Sequence, residues 1–221
     1  MWKKRIKQDT KQHVMKINGN KRYHTKITTI CSLILLALAF TACEQHYTPK
    51  PRGYFQIQFP KREYRTFDMP GYPYTFEYPA YARVVKDSLF FGEKTENPYW
   101  INVEFPSLNG KIYMSYKEIG AKGNDFQQLI NDAFKMTYKH TYKAEYIEEK
   151  NISTPHQVSG LFYDVGGNAA SAKQFYATDS LKHFLRGALY FDAAPNADSL
   201  APVQAFLQED MWHLVETLKW R

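Results

Sequence analysis

The residue whose surroundings define a chemistry most clearly is Cys43. It ends the stretch Phe40-Thr41-Ala42-Cys43, which resembles a lipobox with a bulky apolar first position and a small residue before the cysteine. In such a motif the thiol receives a diacylglyceryl group, so we expect Cys43 to become a lipidated N-terminus. The alternative is an ordinary free or buried thiol. An exposed lone thiol is a liability in an oxidising compartment, which favours lipidation.

The residues before Cys43 have the layout of an export signal. Nine Lys or Arg and one acid, Asp9, lie in residues 3–26, and the apolar run Ile27–Phe40 follows. That run has 14 residues, whereas a permanent membrane span needs about 20. We therefore interpret residues 1–42 as a cleaved lipoprotein signal peptide rather than a span, with Met15 as an alternative true start. Residues 43–53 would form the lipidated anchor and a Pro-rich tether.

The basic character of the sequence resides in this signal region. The whole chain carries +7, and residues 1–42, with nine bases and one acid, carry +8 of it. The remaining chain is near −1, so its charge gives no reason to expect nucleic-acid binding. Cys31 lies in the part to be removed, so the mature chain is predicted to have no disulfide.

Catalytic and metal-binding patterns are absent from the rest of the sequence. The histidines after the signal have none of the close spacings that metal ligands show; they are His46, His140, His156, His183 and His213. There is no G-x-S-x-G, and Gly166-Gly167-Asn168 is flanked by predicted strands, which favours a hairpin turn over a phosphate loop. We predict no enzyme activity, no cofactor and no metal.

Two segments have the composition of binding surfaces. Pro49–Tyr54 is either a stiff linker or a docking strip beside the membrane, with Arg52 and Tyr54 as its contacts. In the second segment, Phe184, Arg186 and Tyr190 share one face of a predicted strand. An arginine between aromatics is typical of protein interfaces. The alternative is an arginine that lies along the aromatic surface with its head in water.

Strands and two helices must position these residues. Period-two alternation predicts strands at Phe55–Phe59, 74–78, 84–91, 101–105, 112–116, 146–152, 158–165, 173–178 and 181–191. Helical spacing predicts one helix from Asn124 to about Tyr142 and another capped by Ser199, with Pro202 in its first turn. The expected fold is a single α+β domain, residues 54–221, with two helices packed on an antiparallel sheet. Its element order resembles PsbP-like α/β sandwich domains.

Several long strings resemble the gliding motility lipoprotein GldD family. They are Tyr47–Tyr54, Gly167–Ser171, Gln174–Tyr176, Thr178–Ser180, His183–Phe191 and Asp198–Pro202. The resemblance implies an envelope component of surface gliding and type IX secretion, held in a membrane by acyl chains such as palmitate and facing the periplasm. It implies no catalytic residue.

Two classes of function therefore remain. The first is a lipid-anchored protein that binds other gliding or secretion proteins of the envelope. The second is a periplasmic ligand-binding or hydrolytic domain. A flat aromatic face would favour the first, and a deep polar pocket of converging titratable groups would favour the second.

Overall fold

The computed structural model describes residue 32 and residues 57–87, 89–90, 93–139 and 141–221. Residues 54–221 form one compact unit. The predictions for the signal peptide, for Cys43 and for the contacts of Arg52 and Tyr54 lie outside the described residues. Among the described residues, no helix combines the length and the hydropathy that a membrane span requires.

The strands form a large antiparallel sheet, a small one and a short hairpin. They are β1 Tyr64–Phe67, β2 Tyr74–Pro79, β3 Arg83–Lys86, β4 Leu89–Phe90, β5 Glu93–Lys94, β6 Ile101–Phe105, β7 Gly110–Glu118, β8 Ala144–Ser153, β9 Ser159–Gly167, β10 Lys173–Thr178, β11 His183–Phe191 and β12 Lys219–Trp220. The large sheet has the order β3-β6-β7-β11-β10-β9-β8, the small sheet β1-β2-β12, and β4 pairs with β5. The predicted hairpin turn at Asn109 is confirmed, with Asn109 in the left-handed conformation.

Two of the predicted strands are wrong in detail. Residues 57–59 of the first predicted strand are not in a strand, because Phe59 stacks on Phe206 instead of facing a sheet. The predicted strand 84–91 is interrupted: β3 ends at Lys86 and β4 begins at Leu89. Alternating apolar residues predicted strand content here, but they cannot show whether a partner strand is present.

The first helix, α1, spans Phe126–Tyr138. Its N-cap is Asp125, one residue after the predicted Asn124, and the Asp125 side chain accepts a hydrogen bond from the Gln128 amide at 3.1 Å. Leu129, Ala133 and Thr137 are buried against the sheet. The helix ends at Tyr138, four residues before the predicted end at Tyr142.

The second helix, α2, spans Ala197–Thr217. Asn196 is its cap and accepts from the Ser199 amide at 3.1 Å, so the predicted cap Ser199 lies inside the helix. Because α2 begins earlier than predicted, Pro202 sits in the second turn rather than the first.

The helices cover opposite faces of the large sheet. Apolar residues of α2, of the small sheet and of one sheet face form one core, which includes Phe76, Leu185 and Leu207. Apolar residues of α1 and of the other face form a second core, which includes Leu129, Tyr163 and Phe184. The predicted α+β class, an antiparallel sheet with two packed helices, is confirmed.

Candidate functional site

The face that carries α1 is only partly covered by that helix. Residues 112, 114 and 116 of β7 are buried towards α2, so the residues between them face the other way. Beyond α1, β7 and β11 present half-buried side chains side by side, which we call the open strip: Lys111, Tyr113, Ser115, Lys117, Arg186 and Tyr190. Ser115 lies directly opposite Arg186 in the strand register.

Arg186 is held in place by groups at the edge of α1. Its Nη2 donates to Oε1 of Gln174 at 2.5 Å, and Thr137 Oγ1 donates to the same oxygen at 3.2 Å. The Gln174 amide nitrogen donates to the carbonyl of Ser171 at 3.1 Å, which fixes the orientation of the amide. The guanidinium is therefore oriented by neutral groups.

The electrostatics of Arg186 differ from those of the neighbouring lysines. Lys111 Nζ lies 2.9 Å from Glu104, and Lys117 Nζ lies 3.0 Å from Glu96. Within the described ranges, no carboxylate forms an ion pair with Arg186. Burial lowers the pKa of Arg186, and the nearby Tyr190 and Tyr163 partly offset that effect. Arg186 nevertheless stays protonated at neutral pH, as arginine does in proteins.

A pair of tyrosines lies at one end of the open strip. The rings of Tyr113 and Tyr190 meet edge to face, with centroids 5.5 Å apart and an angle of 80°. Lys111 Nζ lies 5.4 Å from the centroid of Tyr113. This end opens into a cavity of about 490 Å³ whose lining includes both tyrosines and Glu104.

The charged side chains that line that cavity are balanced, with Arg83 and Lys111 against Glu104 and Asp192. Glu104 contacts Lys111 at 2.9 Å and Arg83 Nη2 at 2.7 Å. The hydrogen bond from Lys111, opposed by burial and joined by the bond from Arg83, lowers the pKa of Glu104. The same bond to Glu104 raises the pKa of Lys111. Neither group is thus poised to exchange a proton near neutral pH, which general acid–base catalysis would require.

The structure separates the three residues that were predicted to form one contact surface on β11. Arg186 and Tyr190 lie on the open strip, but Phe184 is only 3% exposed and stacks on Tyr176 at 5.4 Å. Helix α1 covers this part of the face, so Phe184 is a core residue and is removed from the candidate surface. Alternation alone could not show how far α1 extends across the sheet. Tyr113 was not predicted as a contact residue, although the alternation of side chains along β7 places it on the same face as Arg186.

A second partly apolar surface lies along α1. The rings of Phe134 and Tyr138 stack with centroids 4.0 Å apart, and Phe134 is 44% exposed. A groove of about 530 Å³, lined in part by Phe126 and Ile130 of the same helix, runs beside strands β8–β10. Its lining contains no charged side chain.

Two of the histidines are engaged in packing. His183 is buried, its Nδ1 lies 2.8 Å from the hydroxyl of Tyr116, and its ring stacks on Trp220. His213 Nε2 lies 2.7 Å from Glu77. Across the part of the chain that the structure describes, no three His, Cys, Asp or Glu side chains cluster closely enough to hold a metal ion.

A buried carboxylate joins α2 to the small sheet. Asp210 is 1% exposed, accepts from the Tyr64 hydroxyl at 2.9 Å and from the Tyr81 hydroxyl, and lies 3.5 Å from Arg62 Nε. Burial and the hydrogen bond to Asp210 raise the pKa of Tyr64 to about 12. Since the partners of Asp210 come from residues 62–64 and from Tyr81, this cluster links α2 to two other segments of the chain.

The sequence matches a protein family, and the fold has a solved structure among its matches. The sequence profile described as "Gliding motility lipoprotein GldD" matches residues 44–220. The solution structure of cyanobacterial PsbP from Synechocystis sp. PCC 6803 is similar at 12% identity and a TM-score of 0.41, over 78% of this chain and 99% of that chain. None of the curated proteins matches the sequence.

Proposed function

From the premise that this chain belongs to the gliding motility lipoprotein GldD family, we propose that it acts by binding other proteins of the gliding and type IX secretion machinery. In this proposal the protein is an adaptor in the envelope and performs no chemistry. The alternative class, a ligand-binding or hydrolytic envelope domain, would require a site that the cavity beside Glu104 does not offer.

The anchoring part of the proposal rests on Cys43. The family match begins at residue 44, directly after this cysteine, which supports Cys43 as the first residue of the mature protein. One acyl chain binds a membrane only reversibly, whereas several hold a protein firmly. The tether of residues 43–53 would keep the domain within roughly 40 Å of the membrane, and we place it on the periplasmic side.

The observation that carries the binding proposal is the open strip. It is a partly exposed area of a sheet face that presents an arginine and an edge-to-face tyrosine pair, rather than a deep pocket of converging acids and bases. Arg and Tyr dominate the binding energy of protein interfaces when they are desolvated together. Because β7 and β11 are hydrogen-bonded neighbours in the large sheet, the strip is also rigid, which lowers the entropy lost on binding.

The test is purification of the tagged full-length protein from detergent-solubilised envelopes of its own host. We expect named gliding or secretion proteins to co-purify with the wild type, and the double variant Tyr113→Ala, Tyr190→Ala to lose most of them. The matched control is Tyr142→Ala, since Tyr142 is 80% exposed and lies outside the strip.

Two results would reject this proposal. One is equal co-purification by the double variant and the wild type, with both proteins folded. The other is turnover of a peptidoglycan or peptide substrate by the purified protein, which would establish the hydrolytic alternative.

A further inference from the structure

We infer that Arg186 is a receptor for a carboxylate on the partner protein, an Asp or Glu side chain within an extended acidic and apolar segment. This inference rests on the proposed function, because it names the chemistry of the partner at the same open strip. It adds a defined ionic contact to what would otherwise be a general aromatic surface.

The first argument is the unmatched charge of Arg186. Arg62, Arg83 and Arg221 each contact a carboxylate, namely Asp210, Glu104 and Asp68. Arg186 is half-buried, yet in the described part of the chain its only hydrogen bond is to the neutral amide of Gln174. A guanidinium has five N–H donors. Taking a charge out of water is costly unless an opposite charge compensates for it, so an external anion would relieve that cost.

The second argument is preorganisation. Gln174 holds one edge of the guanidinium and is itself oriented by Ser171 and Thr137. Most of an arginine's rotamer entropy is therefore lost during folding rather than during binding. A side chain that is fixed in this way and still has free donors has the features of a binding group.

The third argument identifies the anion as a carboxylate. Phosphate groups carry up to two negative charges and favour clusters of cations. The other two cations of the open strip, Lys111 and Lys117, are already paired with Glu104 and Glu96. The strip thus offers one uncompensated positive charge, and the planar fork of a guanidinium matches a carboxylate in geometry.

The aromatic pair specifies what accompanies the carboxylate. Tyr190 is four residues from Arg186 on the same face of β11, a distance of about 13 Å along the strand. A partner segment that lies extended along β11 would place an apolar side chain against Tyr113 and Tyr190 when its carboxylate reaches Arg186. The expected ligand is therefore an acidic residue followed or preceded, about four residues away, by an aromatic or aliphatic residue.

The test uses the full-length variant Arg186→Lys and a zero-length carbodiimide, which couples a carboxylate to an amine in contact with it. After treatment of detergent-solubilised envelopes, we expect mass spectrometry to find position 186 joined to an Asp or Glu of another protein. The wild type cannot react at this position because a guanidinium does not couple. Coupling of Lys111 to Glu104 and of Lys117 to Glu96 provides an internal control, since both pairs are already in contact.

A second variant separates this inference from the proposed function. Arg186→Gln should lower the affinity for the identified partner by roughly 30-fold or more, as loss of one member of a desolvated charge pair does. If Arg186→Gln binds like the wild type while the double tyrosine variant does not, the carboxylate site is wrong and the proposed function stands. Coupling of position 186 to a lipid phosphate, or a stable complex without any coupling, would also overturn the inference. If neither variant affects binding, the proposed function itself fails.

Discussion

The guanidinium of Arg62 lies 4.3 Å from the centre of the Phe206 ring, and Arg62 also donates to the carbonyl of Phe206 at 3.0 Å. Phe59 stacks on the same ring at 4.4 Å. Phe206 thus helps to attach the segment that enters the domain to α2, beside the ion pair of Arg62 with Glu209 at 2.8 Å. Phe206 itself is half-buried.

Replacement of Phe206 should weaken the attachment of this entry segment to α2. We expect Phe206→Ala to lower the free energy of unfolding by roughly 2 kcal/mol, less than the 3–5 kcal/mol of a fully buried phenylalanine, because part of the ring faces solvent. Urea unfolding followed by tyrosine and tryptophan fluorescence measures it. Phe134→Ala is the control, since Phe134 is 44% exposed and should have a much smaller effect. Equal effects of the two substitutions would show that Phe206 does not attach the segment.

The buried carboxylate of Asp210 leads to a larger predicted effect. Asp210→Ala would leave the hydroxyls of Tyr64 and Tyr81 without their acceptor. Arg62 would keep its ion pair with Glu209 at 2.8 Å and its hydrogen bond to the carbonyl of Phe206. Each buried donor that is left without an acceptor costs roughly 1–3 kcal/mol, so the loss of both hydroxyl bonds should cost roughly 2–6 kcal/mol. Tyr64→Phe, which removes one donor only, should cost about 1 kcal/mol. A loss below 1 kcal/mol for Asp210→Ala would mean that the cluster does not fasten α2 to the small sheet.

Much of this architecture follows from local patterns, and the rest depends on distant contacts. Alternation predicted strands β6 and β7 because the apolar face of each lies in a core. It is weaker evidence for β8, which is mostly exposed, and for β10, which is buried on both faces. Strand β12 could not be predicted, since Lys219 and Trp220 are too short a run to show a period and pair with β2 from far away in the sequence. Arg186 and Tyr190 could be assigned to one face of β11, but Gln174 was not recognised because its contact with Arg186 depends on strand register.

His183 and Asp179 should give the domain two separate pH dependences. Burial lowers the pKa of His183 from its ordinary 6.5, with partial compensation by Asp179. Below about pH 6.5 the unfolded chain therefore binds a proton that the folded chain does not, and the free energy of unfolding should fall as the pH falls. In His183→Gln this dependence should disappear between pH 7 and the lowered pKa. A persistent slope in that variant would assign the effect to another group.

Asp179 should act at lower pH. Burial alone would raise its pKa, but hydrogen bonds from the backbone N–H groups of His183, Lys182 and Leu181 outweigh burial and lower it. Its stabilising contribution is therefore present above about pH 3.8 and is lost as the pH falls through the lowered value. In Asp179→Asn the free energy of unfolding should depend less on pH than in the wild type between pH 2 and pH 5. An unchanged pH dependence in that variant would contradict the assignment to Asp179.

Lipidation of Cys43 should change the mass of the mature N-terminal peptide and hold the protein in the membrane fraction. The mature wild type should begin at Cys43 and carry a diacylglyceryl group on its thiol, detectable by mass spectrometry of the N-terminal peptide. Cys43→Ser should abolish the modification and release the protein from the membrane fraction, because the acyl chains provide the membrane affinity. A mature wild-type chain that keeps residues 33–40 and has no lipid would show that the segment is a permanent span.

The most direct measurement of protein binding at the open strip is photo-crosslinking in living cells. A photoreactive amino acid replaces Ser115, which lies opposite Arg186, and in a matched strain it replaces Gln127, an exposed residue of α1. We predict that position 115 cross-links to a gliding or secretion protein and that position 127 does not cross-link to that protein. Cross-links from position 115 to lipid alone, or none from that position in cells that contain the folded protein, would contradict the binding function.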